Sequence, residues 1–461
     1  MVELENLQQL RKSLSIKADK SGLSHTINRK SIFLPFTTRA TERPKFRKGF
    51  EGVLGGFTRS ISDNHLNEDL NLDYLIKNIS KVVDISNEDK PFFEKILRRF
   101  LQDKKGNMKV FHPHVFQYLP FSEGPEAKGE QEIARFLSDI LNENNEQFKL
   151  FFEKSSSEDL VAKLILHHLD GLEKSERKIK YKSKLPHLSE VFKADFLYLT
   201  KHEDYFKGHY EIFLSYYYFY YITQVTLKFS QKAKGRFNSN NEVYFTLDWE
   251  ATSKNRKGYG FGYQMIKEAS RNLLIDINTL EHLNFIMGTD DSQSYPELQS
   301  TYEQLTTTEQ EMFLTMVREW IIEYRSILSL QEEYLAKDLE YDVLVDKLYS
   351  SIEEAYEKPT MQGPRNRYQL SIEEIGKKFF MKTRGSLGYM LNVSQDLLLL
   401  LTALSLKEER KSLKQVFLEL EHRGLYFDRY SREEIVKLYD KLNLLDKKSD
   451  SGDAQYVKPI L

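Results

Sequence analysis

The sequence predicts a mainly α, multidomain protein of long helices, with a small β element in the middle and a compact module at the C-terminal end. Three observations carry this reading. Apolar residues recur at helical spacing along most of the chain, with helix starters and stoppers at the expected ends. Only "NEVYFTLDWEATS" (241–253) is β-rich and partly alternating. Residues 394–461 read as three helices followed by a hairpin.

Composition sets the outer limits. A chain of 461 residues exceeds the size at which one hydrophobic core keeps growing, so several domains are expected. With 40% hydrophobic and 30% charged residues, including 30 Phe and 27 Tyr, it has ample material to bury. It contains no cysteine, which excludes disulfides and every thiolate-based metal or nucleophile chemistry and suits a reducing cytoplasm. The start, "MVELENLQQLRKSLSIKADK", lacks the apolar centre of a signal peptide, so export is not expected. "LSYYYFYYITQVTLKF" (214–229) and "LLLLLTALSL" (397–406) are aromatic or too short for membrane spans and are expected as buried core.

Five regions follow in order. Residues 1–65 form a basic arm and linker, twelve Lys or Arg against five acids over residues 1–60, with the glycine-rich "GFEGVLGGFTR" (49–59) expected as a turn-rich connection. Residues 66–235 form a helical domain. Within it "PFFEKILRRFLQDKKGN" sets Phe92, Ile96, Leu97 and Phe100 on one face, with Pro91 in the first turn and Gly106 past the end. Residues 236–360 mix the β element with long helices and end in an acid-rich stretch. Residues 361–393 are expected as linker, because "EKPTMQGPRNRYQ" (357–369) holds two prolines and a glycine.

Residues 394–461 are the most legible part. Ser394 caps a leucine-dense helix, and a second helix turns Val416, Phe417 and Leu420 inward and stops at Gly424. A third helix starts at Ser431, with Glu434 completing a capping box, and its inner face is Ile435, Leu438, Leu442 and Leu445. Ser451-Gly452 turns a hairpin whose returning strand, Ala454 to Ile460, is expected at a sheet edge or at its end at Pro459. Three helices and a hairpin make a winged helix-turn-helix, whose third helix can enter a DNA groove while the wing touches backbone. Candidate DNA-binding residues are Arg432, Lys437, Lys441, Lys447 and Lys448. From Lys407 to Leu461 there are twelve basic and eleven acidic residues, so DNA contact and protein docking both stay open.

Chemical sites are sparse. Asp248 and Glu250, two apart on an expected strand, share a face and with Lys254 resemble the carboxylates of a metal-dependent nuclease core. The Glu-x-Lys order is missing, and a solvated strand face is the plainer reading. Gly258, Gly260 and Gly262 precede a helix without a phosphate-loop lysine, so a flexible turn is expected. His112 with His114, and His167 with His168, match no metal-ligand spacing. No catalytic residue, metal or cofactor is expected.

The blocks "HRGLYFDRYSREEIVKLYDKLNLLDKKSDSGDAQYVKPIL", "LGYMLNVSQDLLLLLTAL", "YFTLDWEATSKNRK" and "SIFLPFTTR" together resemble the DptG/DndG family. This is the G component of the bacterial DNA phosphorothioation-dependent restriction system, and the resemblance runs from about residue 30 to the end. It implies a non-catalytic subunit of an anti-phage defence complex. Its expected partners are the ATPase-like F and helicase-like H components, with double-stranded DNA as a further contact and no membrane. The alternatives are a metal-dependent nuclease using Asp248 and Glu250, and a pure protein-binding scaffold.

Overall fold

A computed structural model describes residues 2–19, 22–25, 32–104, 106, 108–141, 146–153, 159–176, 178–336, 338–447 and 455–461. The chain is mainly helical. In order come α1 (Leu4–Ser13), α2 (Glu51–Ile61), β1 (Asn64–Leu66), α3 (Leu72–Val82), α4 (Lys90–Leu101), α5 (Glu126–Leu141), α6 (Glu146–Phe152), α7 (Leu160–His168) and β2 (Leu172–Lys174). The middle holds α8 (Pro186–Leu199), α9 (Glu203–Ser230), β3 (Thr246–Leu247), α10 (Gln264–Arg271), α11 (Leu273–Met287), α12 (Tyr295–Glu303), α13 (Thr307–Ile327) and α14 (Tyr341–Glu357). Then follow α15 (Pro359–Ile375), β4 (Met381–Thr383), β5 (Tyr389–Val393), α16 (Gln395–Leu406), β6 (Lys411–Ser412), α17 (Leu413–His422), α18 (Arg429–Lys441), β7 (Leu445–Lys447) and β8 (Gln455–Val457).

One apolar cluster runs from Val2 to Val457 and draws on every region of the chain. Its axis is α9, 28 residues long and buried on all sides from Phe213 to Phe229, which is why its aromatic run carries no amphipathic stripe. Among the described residues no helix is long and apolar enough to cross a membrane. A satellite cluster of Leu75, Ile79, Leu97, Leu101, Tyr118 and Ile165 lies under α3, α4 and α7. Here the expected face of α4 is rotated, since Phe92 and Ile96 are exposed while Leu97 and Leu101 point inward.

Glycine and proline misled the reading in two places. "GFEGVLGGFTR" is not a turn-rich connection but contributes most of α2, a buried helix. A Cβ on Gly56 would stand 2.6 Å from the Phe121 ring and 2.8 Å from Ala134 Cβ, so the glycines let α5 and the 117–121 segment close on the helix. The stretch expected as linker, 361–393, is structured throughout its length by α15, with Pro359 in its first turn and Pro364 inside it, and then by β4 and β5. Tertiary contacts with α14, α11 and α10 hold α15. The basic arm is likewise docked: Leu7, Leu10 and Leu14 are buried, and Arg11 pairs with Glu323 on α13 at 2.6 Å.

Three small sheets complete the fold. β1 and β2 pair antiparallel; β3, β5 and β4 lie in that order, β3–β5 parallel; and β6, β8 and β7 form an antiparallel sheet. The β-rich segment therefore pairs with β5, 146 residues later, and not with the preceding aromatic stretch, which is helical.

Candidate functional site

The C-terminal unit runs helix, strand, helix, helix, strand, strand, and the returning strand β8 is not at an edge but central in its sheet, because β6 pairs with its other side. Ser394 caps α16 by accepting the Leu397 N–H, as the sequence indicates. The leucines of α16 do not form a small separate core; they join the main cluster and face α8, α9 and α17. Gly424 ends the second helix at φ 82° with Tyr220 packed against its Cα. β8 stops at Val457, before Pro459, while the expected Ser451-Gly452 turn lies outside the described residues.

The start of α18 differs from expectation. Asp428, not Ser431, is the N-cap, and its carboxylate accepts the Ser431 N–H at 3.1 Å. The inner face is Ser431, Ile435 and Tyr439, with Leu442 turned outward. The buried stripe is rotated from the expected one, with Leu438 half-buried at its margin, because the Tyr439 hydroxyl meets Thr402 at 2.6 Å inside the core and Ser431 bonds Glu250.

Two buried ion networks fasten this unit to the body. Arg256 donates to both Asp428 oxygens at 2.6 Å, and also to Glu250 and Ser431. Burial pushes the Glu250 carboxyl up against the pull of Arg256 and Ser431. Burial also opposes ionisation of Asp428, but Arg256 and the Ser431 N–H outweigh it and hold that carboxyl below its usual range. Arg423, at the end of α17, makes a two-pronged contact with Asp195 of α8 at 2.8 Å per bond, while the Tyr217 hydroxyl donates to the same carboxylate. A parallel bridge between Tyr244 and Tyr426 joins the two parts through backbone.

Asp248 and Glu250 are not brought together. β3 ends at Leu247, so both stand in the turn beyond it, and strand alternation no longer applies. Asp248 accepts from Asn392 and faces Lys382 at 3.5 Å, whereas Glu250 is buried on Ser431 and Arg256. No group of three potential metal ligands occurs among the described residues. His112 and His114 are buried; the first accepts the His114 N–H and the second lies 2.9 Å from the Phe152 carbonyl, both structural contacts. Gly258, Gly260 and Gly262 lie not in a flexible turn but in a kinked helical stretch that follows the 248–256 turn and leads into α10, and Gly258 and Gly262 let it approach β3, since a Cβ there would meet Thr246 Cγ2 at 2.7 Å and the Tyr244 carbonyl at 2.8 Å, respectively.

A groove of about 940 Å³ opens between this turn, α17 and α18. Leu413, Phe417, Phe427 and Val436 line it as apolar surface, and Tyr244 and Tyr430 flank it. Lys257, Arg429, Arg432 and Lys437 supply its cations, with Glu433 on the same wall. The cations of α18 are already engaged. Arg432 meets Glu421 and covers the Phe417 ring, Arg429 pairs with Glu433, and Lys437 pairs with Glu434. Lys441 is exposed without an ion pair among the described residues. Lys447 lies in β7, and Lys448 falls outside the described residues. Sequence reasoning missed the apolar floor, because Leu413, Phe427 and Val436 come from three separate elements.

No protein-family model matches this chain, and no curated protein matches it.

Proposed function

We propose that the chain is a non-catalytic subunit of a DNA phosphorothioation-dependent restriction complex whose residues 394–461 act as a winged helix-turn-helix that docks partner protein. The order helix, strand, helix, helix, strand, strand and the sheet order β6-β8-β7 support the winged-helix reading. The groove beside α18 carries the docking reading. Its floor is apolar, its rim is cationic, and Tyr430, 62% exposed, stands at its edge as an anchor residue. A partner segment with an apolar anchor and acidic flanks complements that surface. The ATPase-like F and helicase-like H components implied by the sequence resemblance are the proposed partners.

The test is co-purification of those two components with the full chain and with a Val436→Asp, Tyr430→Ala variant. Both positions face the groove and neither is fully buried, so the fold should survive. Loss of one partner from a folded variant is expected. Retention of both sinks the docking reading.

Contact with duplex DNA is a second reading, supported by Lys441 at the end of α18 beside the β7–β8 hairpin. It predicts duplex affinity that falls steeply with salt and weakens in Lys441→Glu. The ion-paired state of Arg429, Arg432 and Lys437 argues against a broad phosphate-binding face.

A further inference from the structure

Arg59 carries a buried charge without an ion pair. It lies in the last turn of α2, 5% exposed, and no carboxylate among the described residues comes within ion-pair distance. Its Nη1 donates to the carbonyls of Gln117 and Leu119, both at 2.8 Å, and its guanidinium stacks over Phe121 at 4.8 Å. Nε and Nη2 donate to no acceptor among the described residues. That pair of N–H groups is the edge of a guanidinium that grips an oxyanion side-on.

A cavity of about 400 Å³ opens beside Arg59, between the end of α2, the middle of α5 and residues Ser175, Glu176 and Lys178. Ser60, Asn64 and Phe121 line it near Arg59, and Arg135 and Lys178 bring two more cations to it. Arg135 is steadied by donating to the Lys178 carbonyl at 2.6 Å. Two acids also line the cavity: Asp63, engaged by Lys149 at 2.9 Å, and the exposed Glu176, set against the three cations. Gly56 is part of the lining, where a side chain would strike Phe121 and Ala134.

We infer that this cavity binds a phosphate-class oxyanion, gripped by Arg59 and flanked by Arg135 and Lys178. A desolvated cation is costly unless paired, and an oxyanion supplies the pairing that the surrounding backbone carbonyls supply only in part. Burial loosens the proton on Arg59 and brings its pKa down to about 10, which leaves it charged at neutral pH. Free phosphomonoesters and nucleic-acid phosphodiesters share this chemistry.

The experiment is a melting-temperature titration of the full chain with inorganic phosphate, with adenosine monophosphate and with a short oligothymidylate, each against chloride at matched ionic strength. A saturable rise with phosphate and monophosphate indicates a free phosphomonoester; a rise with the oligonucleotide indicates backbone phosphate. Either supports the site, provided that Arg59→Gln weakens it roughly tenfold or more, the loss expected for a charge-assisted bond. Arg135→Ala, on a partly exposed residue, reads the same site if Arg59→Gln does not fold, and weaker binding is expected there too. A response no larger than that to chloride, or one undiminished in the folded variants, overturns the inference.

Discussion

Arg256 and Asp428, 172 residues apart, form a two-pronged ion pair with both bonds at 2.6 Å, each side chain less than a tenth exposed. The pair joins the turn after β3 to the first turn of α18, so the orientation of that helix depends on a residue of the body. Arg256→Ala leaves Asp428 and Glu250 buried without their cation. The expected cost is roughly 3–5 kcal/mol, read as a lower urea midpoint, together with faster amide exchange confined first to α18. Unchanged exchange in α18 would show that the pair does not fasten the helix.

Arg423 and Asp195 do the same for α17. Arg423→Met is expected to destabilise by about 3 kcal/mol or more, because Asp195 is fully buried and loses its counter-charge. Adding Asp195→Leu should recover part of the loss by removing the orphaned carboxylate. A double variant as unstable as the sum of the two single ones would contradict a direct coupling.

Asp276 lies fully buried on α11, where desolvation pushes its carboxyl well above the ordinary value against the opposing pull of the Tyr295 hydroxyl, at 3.2 Å, and the charge of Lys232. The folded state therefore holds this proton more tightly than the unfolded state. Its contribution to stability is complete below the unfolded carboxyl pKa and declines as pH rises through the folded one, by about 1.4 kcal/mol per pH unit for one group. Asp276→Asn should flatten that decline in a series of urea midpoints above pH 4. A variant that follows the original slope would assign the decline to other groups.

His282 and His25 impose the opposite slope. Trp320 Nε1 donates to His282 Nδ1 at 3.2 Å, and His25 Nε2 lies 2.8 Å from the Tyr324 hydroxyl. Burial lowers His282 to about 3 and His25 to about 4, so both imidazoles are neutral in the fold and take up protons on unfolding below about pH 6.5. Stability from these two groups is present above the unfolded value and is lost as pH falls toward the folded ones. Melting temperatures of the His25→Gln, His282→Gln double variant should depend less on pH between 6.5 and 4 than those of the original chain.

Much of the helical content was legible because it rests on local rules. Ser394 capping α16, Gly424 ending α17, and the inward turn of Val416, Phe417 and Leu420 all follow from spacing and backbone preference. The start of α18 was not legible. Asp428 and Ser431 are both competent caps by local chemistry, and the choice falls to Asp428, whose carboxylate also meets Arg256.

The sequence by itself determined the helical class of the chain, the Ser394 cap, the Gly424 stop and the succession of three helices and two closing strands in its last segment, though not β6 between the first two helices, since each follows from interactions a few residues long. Tertiary structure alone decided that glycine- and proline-rich stretches become the packed helices α2 and α15. It likewise decided that Asp248 and Glu250 part company, and that apolar residues from separate elements gather beside α18 as a groove. Periodicity says that a side chain turns inward, but burial, charge pairing and close backbone approach depend on what meets it across the fold.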